Sequence, residues 1–260
     1  MSGSPAENRS VDDASPPRIV FADEAIVVVD KPSGMPSVPA RTPRDPPAVA
    51  LRLAAEFGLV EAVHRLDRDT SGLLVLARTR DARAALGIAF EQRLVAKRYF
   101  GVVVGEPLEG TGTIHLALAR DPDRPPRHRV DHDLGRPATT IWRRIAAHCH
   151  GECGDRKSLM ELEPVTGRSH QLRVHLAAIG HPIMGDRLYG NPPWNEACPL
   201  ALHATRLAFD HPMTGEHLVL LAPPPSSYPW SDFTADITAT LAAWPTGRPA
   251  ANSVRIGREP

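Results

Sequence analysis

The chain of 260 residues is 42% hydrophobic and 23% charged, a balance that can build one large core or two small ones and that excludes a disordered chain. Thirty Lys and Arg match thirty Asp and Glu, so overall charge announces neither a nucleic-acid binder nor a membrane-surface protein. Three cysteines (Cys149, Cys153 and Cys198) are too few for a disulfide framework and suit a reducing compartment; with no apolar run of signal-peptide or membrane-span length, the expected location is the cytoplasm.

In chain order, residues 1–16 are rich in Ser, Pro, Asp and Asn, and residues 245–260 in Pro, Arg and Gly, so both ends are expected outside the core, with 17–244 as one domain. "IVFADEAIVVVDKPSG" predicts two short strands around an Asp-Glu turn, then a Pro/Gly loop from Lys31. "AVALRLAAEFG" predicts a helix closed by Gly58. A buried strand "LLVLA", a helix over "DARAALGIAFEQRL" and the strand "KRYFGVVVG" follow. Two strands are expected near 112–118 and 138–147, with an arginine-rich loop 120–136 between them. The strand "LMELEPV", the helix "HQLRVHLAAI", the strands "ALHATRLAF" and "HLVLLAP" and a last helix within 231–243 complete the order. Strands dominate and helices do not alternate with them one for one, which predicts an α+β domain with a mixed, mainly antiparallel sheet.

Three stretches carry chemistry. In "HRLDRDTSGLLVLAR", residues 64–78, Asp67 and Asp69 sit in a polar turn that Gly72 leads into an apolar strand, a rigid place to present a carboxylate. His64, Arg65 and Arg68 stand near enough in sequence to favour its ionised form, which can act as a nucleophile; an Asx turn with solvated charges is the structural alternative, preferred for Asp69 and Thr70. In "KRYFGVVVG" alternation puts Lys97, Tyr99 and Gly101 on one face and Phe100, Val102 and Val104 on the other, so the core face is opposed by a cation and a phenol. In "EPVTGRSHQLRVHLAAIGHPIMGDRLYG", Ser169 is the expected N-cap, Gly180 the residue past the C-cap, and Leu172, Leu176 and Ile179 the apolar stripe. Arg173 falls off that stripe, free either to pair bidentately with a carboxylate from another element or to be solvated, and His175 and His181 read as surface or turn histidines.

Together these stretches, with "VVVDKPSGMPSVPAR" and "LHATRLAFDHPMTGE", resemble the RluA family of pseudouridine synthases over about residues 18–225. The resemblance implies a mixed, largely antiparallel sheet flanked by helices with a central cleft, in agreement with the α+β reading. It implies that Asp67 is the catalytic aspartate, Tyr99 the active-site tyrosine over the uracil ring and Arg173 the salt-bridge partner of Asp67. Arg65 would fill the gap left by a flipped nucleotide, and His64, Arg68, Lys97, Arg168 and His170 are further candidate RNA contacts. No metal or organic cofactor is implied, because isomerising uridine needs no redox change and no incoming group. Asp67 would attack ribose C1′ or uracil C6, or abstract a ribose proton to give a glycal, once the base has left its stack. The expected partner is ribosomal or transfer RNA, bound by a monomer without an S4 domain. Between His64 and Arg98 eight Lys and Arg stand against four acids, a local excess that attracts phosphates.

Other readings are weaker. "DRDTS" echoes an aspartate-nucleophile phosphatase, but there the apolar strand precedes the aspartate, whereas here it follows. A non-catalytic RNA-binding module would predict binding without turnover. His148, Cys149, His150 and Cys153 crowd together in "HCHGEC" without a second ligand pair at a zinc spacing. "GEPLEGTG" lacks the helix that a phosphate cradle needs, and reads as a turn.

Overall fold

The structure, a computed structural model, describes residues 17–39, 46–150 and 155–245. The expected tails 1–16 and 245–260, apart from Pro245, lie outside these residues, as does Cys153. The order of elements is β1 (Arg18–Ala22), β2 (Ile26–Lys31), α1 (Val49–Phe57), β3 (Glu61–Ala62), β4 (Ser71–Ala77), α2 (Arg80–Glu91), β5 (Ala96–Val104), β6 (Thr111–His115), β7 (Leu118–Arg120), β8 (His128–Val130), β9 (Thr139–His150), β10 (Asp155–Pro164), α3 (Gln171–Ala178), β11 (Leu202–Asp210), β12 (His217–Leu221) and α4 (Thr234–Ala243).

Ten strands form one sheet in the order β1-β2-β4-β11-β5-β10-β9-β6, with β3 also on β4 and β12 also on β11. Every pairing is antiparallel except that of β4 with β11, so the sheet is mixed and mainly antiparallel, as the sequence predicts. The parallel contact is made by Gly72, whose φ is +106° and whose absent Cβ would stand 2.3 Å from the Ala204 carbonyl oxygen. A side chain at that position would push β11 away from the turn that carries Asp67.

Local sequence explains most elements. Asp23 accepts the N–H groups of Ala25 and Ile26, both at 2.8 Å, and turns β1 into β2. Thr79 caps α2 by accepting the Ala82 N–H. Strands β2 and β4 bury both faces, which is why they read as continuous apolar runs. The expected loop 120–136 begins within the small hairpin of β7 and β8, which is too short and too polar to show a strand period.

Helix α3 departs from its expected form. Gln171 through Leu176 are all buried, and only Ala177 and Ala178 at its end reach solvent. Ser169 is not the N-cap. His170 holds that position in the left-handed region, at φ 56° and ψ 15°, and caps nothing with its side chain. Gln171 does the work instead, its Oε1 accepting the Arg168 N–H at 3.0 Å and the Thr166 hydroxyl at 2.7 Å. Nor is His175 a surface residue: it is fully buried, with Nδ1 2.9 Å from the Thr140 hydroxyl and Nε2 3.1 Å from the Leu116 carbonyl. The alternation in β5 holds at Phe100, but Val103 is buried as completely, because sheet and helices cover both faces there. At the end of the described chain Trp244 stacks on Phe100 and donates its indole N–H to Glu161.

Candidate active site

A cleft of about 630 Å³ opens between the β3–β4 turn, the start of β5 and the N-terminus of α3. That size lies within the roughly 300–1,000 Å³ usual for ligand sites. Asp67, Tyr99 and Arg173 all line it, together with His64, Arg65, Lys97, Arg168 and His170. Arg68 does not line the cleft: its Nε donates to the Gly34 carbonyl at 3.2 Å, on the exposed side of the turn.

The turn presenting Asp67 closes with a Thr70 N–H to Asp67 carbonyl bond of 3.1 Å. It is held from below by the segment that follows β2. Lys31 is completely buried, and its Nζ donates to the carbonyls of Pro32 (2.9 Å), Met35 (2.8 Å) and Arg68 (2.9 Å). Ser33 donates to the Asp69 carbonyl at 2.7 Å, and the Ser37 hydroxyl both donates to the Leu66 carbonyl and accepts the Leu66 N–H. The backbone on either side of Asp67 is therefore fixed by polar groups from a different part of the chain. Burial pulls the Lys31 ammonium down to about 7, against the pull of Asp69, Asp67 and Asp30. Its three protons are all taken by main-chain carbonyls, an arrangement that only the ammonium form satisfies.

Arg173 is neither solvated nor merely off the stripe. It is 4% exposed, and its fork clamps Asp186: Nε donates to Oδ2 at 2.8 Å and Nη2 to Oδ1 at 2.7 Å. The remaining Nη1 reaches Asp67 Oδ2 at 3.3 Å. Burial works against its charge, but Asp186 and then Asp67 outweigh it and hold the guanidinium protonated. Asp186, wholly buried, also accepts the N–H groups of Leu188 and Tyr189 at 3.0 and 3.1 Å, so its carboxylate is satisfied on every side. The ring of Tyr189 lies beneath Arg173, with the guanidinium carbon 5.2 Å from its centroid.

Tyr99 projects from β5 at the register of Leu162 on β10 and Ala204 on β11, packed against two core clusters. Burial, and next the charge of Asp67, push its hydroxyl well above the usual phenol range, so the resting ring is neutral. Such a surface suits stacking against a planar base.

His64 does not serve as a charge beside Asp67. Its Nε2 accepts the Val75 N–H at 3.1 Å and its ring stacks on Phe90 at 4.5 Å. Burial, helped by Lys97, draws its pKa down to about 3, so the ring is neutral. Charge at the cleft comes from guanidinium groups instead. Arg65, Arg93, Arg136 and Arg168 line it, and none has a carboxylate within salt-bridge distance among the described residues. Arg168 is disfavoured as a cation by burial and by Arg136 and Arg93, which places these three groups in one field. An anion would relieve it.

Sequence reasoning gave no role to Asp186, Tyr189, Lys31 or Ser37, while Arg93 entered only as part of a local positive excess and Arg136 only as part of the arginine-rich loop 120–136. Lys31 could have been found as the cation ending the otherwise apolar "IVVVDK", and Asp186 as the acid inside "IMGDRLYG". Among the described residues no group of three or more His, Cys, Asp or Glu is arranged to hold a metal ion. Nor is any described helix long and apolar enough to cross a membrane.

A family model described as RNA pseudouridylate synthase matches residues 25–178. The chain is 39% identical over 207 residues to the dual-specificity RNA pseudouridine synthase RluA of Pasteurella multocida, covering 79% of this chain and 92% of that protein. It is 42% identical over 195 residues to the RluA of Vibrio vulnificus, covering 75% and 78%. Among solved structures, human RNA pseudouridylate synthase domain containing 1 superposes with a TM-score of 0.72 at 26% identity, covering 94% of this chain and all of that one.

Proposed function

The chain belongs to the RluA family of RNA pseudouridine synthases and isomerises uridine in RNA, and from that premise we propose which residues perform the reaction and on which RNA. Asp67 is the carboxylate that engages the target uridine, Arg173 keeps it ionised and aimed once water has left, and Tyr99 stacks on the uracil ring. The observation that carries this reading is the contact of Arg173 Nη1 with Asp67 Oδ2 inside a cleft walled by Tyr99.

The glycosidic bond of a stacked nucleotide is out of reach of any side chain, so the uridine enters extruded. The bond from ribose C1′ to N1 breaks, the base turns, and C1′ joins to C5, whose proton leaves while N1 gains one. Asp67 takes part as an anion in each of the three routes open to it: attack at C1′, attack at C6, or removal of a ribose proton. Desolvation by the entering base would otherwise favour its neutral form, and the Arg173 charge opposes that shift. The neutral Tyr99 ring offers its face to the base, with its hydroxyl near C5 to assist the final proton removal.

Arg65 stands exposed beside Asp67, where it can enter the space that the flipped nucleotide vacates. Lys97, Arg168 and His170 contact the flanking nucleotides, and His64 supports the wall through Phe90. The substrates are stem-loops of ribosomal and transfer RNA, and the relatives' description as dual-specificity enzymes supports two substrates here as well. The enzyme works as a monomer in the cytoplasm, with Cys149 and Cys198 as free thiols.

Tritium release from RNA labelled at uracil C5 tests the assignment, with ribosomal and transfer RNA assayed separately. Release from both by the wild-type chain and from neither by Asp67→Asn is expected. No release from either would leave RNA binding without turnover.

A further inference from the structure

Next to Asp67 stands His170, its Nε2 3.9 Å from Oδ2, the same oxygen that Arg173 reaches. Its other ring nitrogen, Nδ1, lies 2.7 Å from the hydroxyl of Tyr189. That hydroxyl oxygen already accepts the backbone N–H of His128 at 2.8 Å. A phenol has one proton to give, and since among the described residues this hydroxyl has no hydrogen-bond partner besides the His128 N–H, which it accepts, and Nδ1, the proton goes to Nδ1. The ring proton of a neutral His170 must then sit on Nε2, facing the carboxylate. The requirement at Asp67 points the same way, since an anion needs a donor and not a lone pair opposite it.

We infer that Tyr189 is a positioning residue: by donating its hydroxyl proton to Nδ1, it fixes His170 as a neutral Nε2–H donor aimed at Asp67. The inference rests on the reading of Asp67 as the reactive carboxylate. Asp67 would then have one cationic partner and one neutral partner, both held by the same turn. Asp186 and the Tyr189 ring hold Arg173, while the Tyr189 hydroxyl holds His170. Gly185 opens this turn at φ +73°, where a Cβ would collide with the Cys198 and Pro199 carbonyls.

The groups facing His170 are Asp67, Arg173, His128, Asp186 and Tyr189. Burial lowers its pKa first, Asp67 pulls it up, Arg173 and His128 push it down and Asp186 pulls it up; the net direction is down, toward the neutral ring. The left-handed backbone of His170, at φ 56°, is a further cost that a non-glycine residue bears here. At 3.9 Å the donor is not yet bonded, and a nucleotide filling the cleft would close the gap as catalytic hydrogen bonds tighten in the complex.

Two measurements on the full chain decide this. Imidazole nitrogen NMR at neutral pH should show His170 with its proton on Nε2, and a mixture of tautomers in Tyr189→Phe, which keeps the ring beneath Arg173. A proton on Nδ1 in the wild type, or an unchanged tautomer in Tyr189→Phe, overturns the inference whether or not the enzyme turns over RNA. In tritium release, Tyr189→Phe and His170→Ala should each lower kcat roughly tenfold, as for one lost bond to a charged group; KM should be little changed in Tyr189→Phe, and raised in His170→Ala, which also loses a nucleotide contact. The acid limb of kcat should move to higher pH. His170→Gln, which keeps an N–H at the ε position, should recover most of the rate. Adding Tyr189→Phe to His170→Gln should cost nothing more, because the phenol acts through the imidazole. A full further loss in that double variant would show that Tyr189 acts by another route and would reject the proposal.

Discussion

Arg173 Nη1 stands 3.3 Å from Asp67 Oδ2, joining residues 106 positions apart in the chain, while the other two nitrogens of the same guanidinium are occupied by Asp186. The fork geometry matters more than the charge. Two nitrogens anchor it and one is left over, so the direction in which Arg173 meets Asp67 is set by a carboxylate that never enters the cleft.

Arg173→Lys should therefore fail where charge alone would succeed. One ammonium cannot bind Asp186 through two nitrogens and still reach Asp67, so activity should fall by about 100-fold or more, the range seen when an electrostatic stabiliser is removed. Arg173→Ala adds a stability loss of about 3–5 kcal/mol, because Asp186 is left buried and uncompensated. Urea unfolding and tritium release on the two variants separate the effects. Equal activity of Arg173→Lys and wild type would refute the anchoring argument.

Lys31→Met tests the support beneath the Asp67 turn. The substitution conserves the buried stem but strips donors from three carbonyls, at about 1–3 kcal/mol for each oxygen left unpaired. Both kcat and stability should fall while RNA affinity holds, since Lys31 lies under the turn and outside the cleft wall. Equilibrium RNA binding beside a denaturation curve reads both.

The guanidinium groups at the rim predict a salt signature. Arg93→Ala, Arg136→Ala and Arg168→Ala should each weaken RNA binding uniformly across sequences. Each should also flatten the plot of log K against log salt by about 0.7–0.9 per lost phosphate contact. Filter binding across a salt series measures it, and an unchanged slope in all three would place the phosphates elsewhere.

Acid should destabilise the fold through a buried histidine. His203 Nδ1 faces the Ser71 hydroxyl at 2.8 Å and its Nε2 the Ala222 carbonyl at 3.1 Å, a neutral ring used at both nitrogens. Burial depresses its pKa to about 4 from 6.5. The unfolded chain thus takes up the proton first as pH falls. The stabilisation is complete above 6.5 and is lost between 6.5 and 4, by about 3 kcal/mol over the window. Urea unfolding at several pH values should show that loss in the wild type and a shallower one in His203→Gln.

The sequence by itself determined the main elements along the chain and the α+β class, and its motifs, through the family they resemble, named the three residues that meet in the cleft. Apolar runs such as "VVVD" and "LLVLA" have only one stable use as strands, and the motifs around Asp67, Tyr99 and Arg173 are local enough to be read in a line. Where periodicity was absent, the reading failed for identifiable reasons. α3 is buried on all sides from Gln171 to Leu176, so its polar residues Gln171, Arg173 and His175 resemble a solvent face although each is satisfied inside. Only the tertiary structure decided what surrounds Asp67: Lys31 beneath its turn, Asp186 behind Arg173 and Tyr189 behind His170. These contacts join segments far apart in the chain, and their geometry exists only once the sheet has brought β2, β4 and α3 together around one cleft.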